Sequence, residues 1–185
     1  MKIGVPKEIK PQENRIGLTP ESVKILVSEG HEVIVENSGG FEAGFENEQY
    51  TNAGAKIVNT AADIFNDAEI IVKVKEPQKV EVDMIRENQI VYTYLHLAAA
   101  KELTEGLIKS KSINIAYETV TDDNGRLPLL APMSAVAGRM CVQAGAHCLE
   151  KNQKCRGLLW GGAPGVTGGT VVILGGGVVG ENAAV

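Results

Sequence analysis

The stretch Thr170-Val171-Val172-Ile173-Leu174-Gly175-Gly176-Gly177-Val178-Val179-Gly180 decides how this chain is read. A β-branched, aliphatic run leads directly into the pattern G-x-G-x-x-G, made by Gly175, Gly177 and Gly180. That order is the turn from a first strand into a first helix of a dinucleotide-binding unit. Its glycines let the backbone approach a pyrophosphate, which sits at the helix N-terminus. A lone G-x-G-x-x-G is a weak signal, but this one follows a strand-like run and enters Glu181-Asn182-Ala183-Ala184. The acidic residue that grips the ribose is expected about 20 residues further on, past the last residue, Val185. The expectation is therefore a nicotinamide-dinucleotide site that these residues only begin.

Upstream, short apolar runs alternate with amphipathic segments, which is the signature of a parallel α/β architecture. Strands are predicted at Lys2–Val5, Glu32–Glu36, Lys56–Val58, Ile70–Val74, Gln89–Tyr94 and Ile113–Glu118, with a further one at Thr170–Leu174. A helix opens with Thr19 as cap and Pro20 at its first position, shows Val23, Leu26 and Val27 on one face, and ends at Gly30. Others are predicted at Asn47–Ala53, Ala61–Phe65, Val82–Glu87 and Lys101–Ser110, and a long one from Ser134 to Lys151. The polar segment from Thr121 to Pro128 reads as a turn at a domain edge. The boundary is drawn there, giving residues 1–130 and 131–185.

Bulk properties exclude several classes. A chain of 185 residues suits one domain with part of a second. Net charge is −5, and no Lys/Arg block or stripe occurs, so neither nucleic acid nor an anionic membrane is expected as a partner. No apolar run approaches the roughly 18 residues of a membrane helix, and the N-terminus lacks the apolar stretch of a signal peptide. Three closely placed cysteines argue against a disulfide framework. A cytoplasmic protein is expected. Cys141, Cys148 and Cys155 recur every seven residues, and with Ala137, Ala144 and Gly145 they read as small residues for close helix packing. Trp160 reads as a packing anchor.

Ligands of parallel sheets bind outside the carboxyl ends of the strands. Arg15 follows the first strand, Lys75 the fourth, and His96 the fifth, while Glu118 closes the sixth. A guanidinium clamps carboxylates, a lysine polarises a carbonyl, and a histidine moves protons near neutral pH. Together they would suit a small keto or amino acid. Each also has an ordinary reading: Arg15 paired with Glu13, Lys75 with Glu76, and His96 as a satisfied core imidazole. Glu118 has no ligand spacing around it, so the residues themselves do not point to a metal.

Several segments together carry a resemblance. They are Met1-Lys2-Ile3-Gly4-Val5-Pro6-Lys7-Glu8, Glu13 to Pro20, Val74-Lys75-Glu76-Pro77, Tyr94-Leu95-His96-Leu97-Ala98, Ile115 to Thr119, Pro132 to Arg139, and Ile173 to Gly180. From first residue to last the chain resembles bacterial L-alanine dehydrogenase. The resemblance implies a Rossmann-like parallel-sheet catalytic domain followed by the first strand and turn of an incomplete NAD-binding Rossmann domain. It implies NAD-dependent oxidation of L-alanine to pyruvate and ammonium. By position, Arg15 would meet the substrate carboxylate, Lys75 would bind and polarise the substrate, and His96 would be the acid/base. Ser134, Gly175, Gly177, Val178, Val179 and Gly180 would touch the cofactor, and a magnesium ion would sit at Glu118. The resemblance also implies a homo-oligomer packed on the long helix.

It further implies that a catalytic aspartate, part of the NAD domain and a returning C-terminal segment lie outside these residues. Little or no turnover is expected of the chain alone. The alternatives are the NAD-binding subunit of a proton-translocating transhydrogenase, which lacks a substrate histidine at Tyr94-Leu95-His96, and a non-catalytic oligomerisation or ligand-binding module.

Overall fold

Val33, Ile34 and Val35 are all buried, yet they do not share a core. Val33 and Val35 pack with Val5, Val23, Tyr50 and Val72 on one face of the sheet. Ile34 packs with Ile64, Phe65, Ile71, Val91 and Leu107 on the other. Successive strand side chains point to opposite faces, so a continuous apolar run means helices on both faces and parallel strands. The computed structural model, which describes residues 1–185, has that architecture.

Two compact units are present, Met1–Thr119 and Val120–Val185, so the division falls before the expected boundary at 130/131. The first unit holds β1 (Lys2–Val5), α1 (Pro20–Ser28), β2 (Glu32–Glu36), α2 (Asn47–Asn52), β3 (Lys56–Val58), α3 (Ala61–Asp67), β4 (Ile70–Val72), α4 (Lys79–Val82), β5 (Ile90–Thr93), α5 (Lys101–Ser110) and β6 (Ile113–Ala116). Its six strands lie in the order β3-β2-β1-β4-β5-β6, and each adjacent pair is parallel. The Thr19 hydroxyl caps α1 by accepting from the Ser22 amide at 3.3 Å, with Pro20 in the first turn. Gly4 lets α3 approach β1, because a Cβ there would overlap Ile64 and lie 2.7 Å from the Ala68 methyl.

Four expectations need correction. The sixth strand stops at Ala116, so Glu118 lies in the short 3-10 turn Tyr117–Thr119 after it, and the long helix runs from Ala131 to Cys148 rather than from Ser134 to Lys151. The helix placed at Val82–Glu87 is instead Lys79–Val82, since Glu81 turns back to accept the Gln78 amide at 2.7 Å and starts the helix earlier. The run Thr170–Leu174 takes no strand conformation. A strand exists only through a ladder with a neighbour, and no strand of the second unit offers one.

The second unit is built on α6 (Ala131–Cys148) and α7 (Val178–Ala184). Between Asp122 and Arg126 the chain makes a tight turn, with the Asp122 carboxylate accepting the amides of Asn124 and Arg126. No helix is long and apolar enough to cross a membrane.

Candidate functional site

The chain lays down β1, β2 and β3 in one direction from the centre, then returns to place β4 on the other side of β1. At such a switch point the connections after the two central strands diverge and leave a crevice at their carboxyl ends. Arg15 follows β1 and Lys75 follows β4, so the fold puts a guanidinium and an ammonium on the loops of the two strands that flank the crevice.

Arg15 does pair with Glu13: its Nε donates to Oε1 at 2.8 Å and its Nη2 to Oε2 at 2.6 Å. That hydrogen-bonded pair holds the Glu13 carboxyl down at about 2, against burial that pushes it up. The pairing uses only part of the five-donor fork of an arginine. Arg15 is half exposed and lines a cavity of about 240 Å³ with Gly17, Thr19, Phe45, Tyr94 and Tyr117. Tyr117 stands edge-on to Tyr92 and Tyr94, at 4.3 and 4.9 Å between ring centres. Burial raises the pKa of both Tyr94 and Tyr117, so these walls are neutral phenols and leave Arg15 cationic beside an uncharged surface.

Lys75 does not pair with Glu76. Glu76 is taken by Lys10; burial works against its charge, but Lys10 outweighs burial and its pKa ends below the usual range. The Lys75 ammonium, partly buried, makes no ion pair, and its charge acts on Glu13. The backbone of Lys75 is held on both sides. Its amide donates to Glu8 Oε1 at 3.2 Å, and its carbonyl accepts from the Thr93 hydroxyl at 2.9 Å.

His96 is exposed rather than buried in the core. Its backbone is left-handed, φ 51°, a conformation uncommon outside glycine. Glu118 holds it there: the carboxylate accepts the His96 amide at 2.7 Å and the Leu95 amide at 3.1 Å. The ring lies nearly parallel to Tyr94, 6.5 Å away. Glu118 thus serves backbone N–H groups, and no cluster of three or more His, Cys, Asp or Glu side chains gathers around a metal position.

In the second unit, Ser134 joins Gly175, Gly177, Val178, Val179 and Gly180 in lining one cavity of about 490 Å³, together with Trp160 and Cys141. Gly175 has φ 99°, a turn only glycine makes easily. At Gly180 a Cβ would overlap the Gly175 carbonyl, while Cβ atoms on Gly176 or Gly177 would meet nothing within 4 Å. The turn is therefore tight on its inside and open on its outside, which is the shape a backbone-hugging pyrophosphate needs. These residues fit a dinucleotide.

The cysteines differ from their expected packing role: Cys141 and Cys148 are exposed, and all three thiols are free. Glycine makes the close approaches instead. A Cβ on Gly138 would overlap the Val179 carbonyl of α7, and one on Gly145 would lie 2.8 Å from the Trp160 ring. Trp160 packs against α6 there, as an anchor would.

A buried charge group escapes sequence reading altogether. Lys73 Nζ donates to Glu8 Oε2 at 3.1 Å and Glu81 Oε1 at 2.7 Å, and all three side chains are essentially inaccessible. Its only sequence signal is a lysine between Ile70-Ile71-Val72 and Val74.

Residues 4–137 match the profile described as alanine dehydrogenase/PNT, N-terminal domain. The chain belongs to the alanine dehydrogenase/PNT family. Residues 141–185 match that family's C-terminal domain. Alanine dehydrogenase of Halomonas elongata is 55% identical over 184 residues, all of this chain and 50% of that protein. The Bacillus subtilis enzyme of that name is 54% identical over 186 residues, again across the whole chain and 48% of its own length. A solved L-alanine dehydrogenase superposes with a TM-score of 0.89 at 55% identity, covering 100% of this chain and 51% of that one. A transhydrogenase from Sinorhizobium meliloti reaches 0.77 at 25% identity, covering 99% and 52%. The chain spans about half the length of the curated relatives it matches.

Proposed function

We propose that this chain supplies the substrate site and the opening of the cofactor site of an NAD-dependent L-alanine dehydrogenase, which interconverts L-alanine with pyruvate and ammonium. The observation that carries the reading is the arrangement at the switch point: Arg15 and Lys75 follow the two flanking strands, and the ammonium of Lys75 has no partner of its own. The relatives' names supply the substrate.

In this reading the Arg15 donors left over from Glu13 bind the substrate carboxylate, a charge-assisted contact. Lys75 donates to the oxygen or nitrogen on the α-carbon and draws electron density from that carbon. His96, exposed and fixed by Glu118, takes the proton released when water or ammonia adds to the α-carbon and returns it to the ammonia or water that leaves. When bound, NAD supplies the hydride acceptor for the alanine Cα–H. Ser134 and the Gly175–Gly180 turn would hold it. The reading carries with it a cytoplasmic homo-oligomer, supported by the free thiols and by the apolar side chains Val136, Met140 and Val142 exposed on α6.

The test is calorimetric titration of the chain with pyruvate. Arg15→Ala is expected to weaken binding at least about tenfold, since hydrogen bonds to charged groups contribute roughly 1.5–3 kcal/mol. A chain that ignores pyruvate, or a variant that binds it equally well, would turn the reading toward the transhydrogenase side of the family.

A further inference from the structure

Three ionisable side chains are buried together at the floor of the cavity that Arg15 lines, where Lys73 is one of the lining residues, and they take no part in the chemistry proposed above. Lys73 is wholly inaccessible, and its partners Glu8 and Glu81 are nearly so. Burying charges in this way costs free energy that their mutual attraction only partly returns. Such a group reads as a device for holding something in place.

What it holds is the backbone beside Lys75. Glu8 uses Oε2 for Lys73 and turns Oε1 onto two successive amides, Val74 at 2.6 Å and Lys75 at 3.2 Å. From the other side the buried Thr93 donates its hydroxyl to the Lys75 carbonyl. Glu8 follows β1 and Thr93 ends β5, the neighbours of β4 in the sheet. Both peptide groups of Lys75 are thus gripped by side chains from the flanking strands. Glu81 completes the group: one oxygen pairs with Lys73 and the other accepts the Gln78 amide that opens α4.

We infer that Glu8, fixed by Lys73, is a positioning residue for Lys75: it sets where the Lys75 ammonium stands in the crevice, with Thr93 as the opposing half of the clamp. The inference rests on the substrate role proposed for Lys75. It also predicts which replacement is better tolerated. Glu8→Gln keeps an oxygen for the two amides but turns an N–H donor onto the Lys73 ammonium, so it is the milder change, whereas Glu8→Ala removes the acceptor altogether.

The experiment uses the full chain with pyruvate as probe and reads three quantities: the unfolding midpoint, amide hydrogen exchange at Val74 and Lys75, and pyruvate affinity. Glu8→Ala is expected to speed exchange at those two amides at least about tenfold, with the rest of the sheet little changed, and to weaken pyruvate binding about tenfold. Glu8→Gln is expected to lie between Glu8→Ala and the parent in both. Should Glu8→Ala fail to fold, Thr93→Val, which removes the opposing grip without changing side-chain size, is expected to weaken pyruvate binding about threefold. Unchanged exchange and affinity in folded Glu8→Ala would overturn the inference. So would faster exchange with unaltered affinity, uniform loosening of the whole sheet, exchange in Glu8→Gln as fast as in Glu8→Ala, or unaltered affinity in Thr93→Val. A parent chain that does not bind pyruvate defeats the substrate reading, while local exchange still decides whether Glu8 fixes Lys75.

Discussion

Lys73→Ala is expected to lower the stability of the chain by about 3–5 kcal/mol, the usual consequence of removing one partner from a buried ion group. The variant would leave Glu8 and Glu81 in the interior with no cation between them. Glu81 already has its pKa raised by burial, a trend that Lys73 opposes. Without Lys73 the Glu81 carboxylate must take up a proton or the surrounding structure must open. The loss is therefore largest near neutral pH, where the unfolded chain's carboxylates are ionised, and shrinks in acid. Denaturant unfolding at two pH values checks it. Combining Lys73→Met with Glu8→Gln and Glu81→Gln is expected to recover much of the loss, because no unpaired charge is then buried. A single Lys73→Ala variant as stable as the parent would mean that water reaches this site.

Gly4→Val is the second large effect, near the upper end of the roughly 1–3 kcal/mol typical of overpacking. Gly4 sits in the middle of β1, paired with Ile34 of β2 and Ile71 of β4. Its missing side chain is the space occupied by Ile64 and Ala68 of the α3 region, and both residues are fully buried. Neither can rotate away into solvent, so the added methyls must push α3 off the sheet. Thermal unfolding measures the cost. Ile64→Ala in the same chain is expected to return part of it by vacating volume, whereas independent, additive losses would show that the two sites do not share that space.

Much of the fold was legible because parallel strands advertise themselves. β1, β2, β3 and α5 occupy the residues that pattern and caps assign to them, and α1 starts at the Thr19-Pro20 signal. The errors have local physical causes. α4 was placed too late because its start depends on Glu81 reaching back to Gln78 rather than on apolar spacing. Thr170–Leu174 has strand composition but no partner, and pairing is not a property of one segment.

The site was legible only as a set of polar residues after strands. Arg15, Lys75 and His96 could be chosen by that rule. Which of them is free could not, because Glu13 takes Arg15 from two residues away while Glu118 reaches His96 across 22. Lys73 could not be chosen at all, because its partners Glu8 and Glu81 lie 65 residues before it and 8 after it.

The most direct measurement is amide chemical-shift mapping of the chain during a pyruvate titration. Saturable shifts are expected at Arg15–Gly17, at Lys75 and Glu76, and at His96, on the loops that leave β1, β4 and β5. Shifts centred elsewhere, or none at saturating pyruvate, would contradict the claim that the switch-point crevice is a 2-oxo acid site.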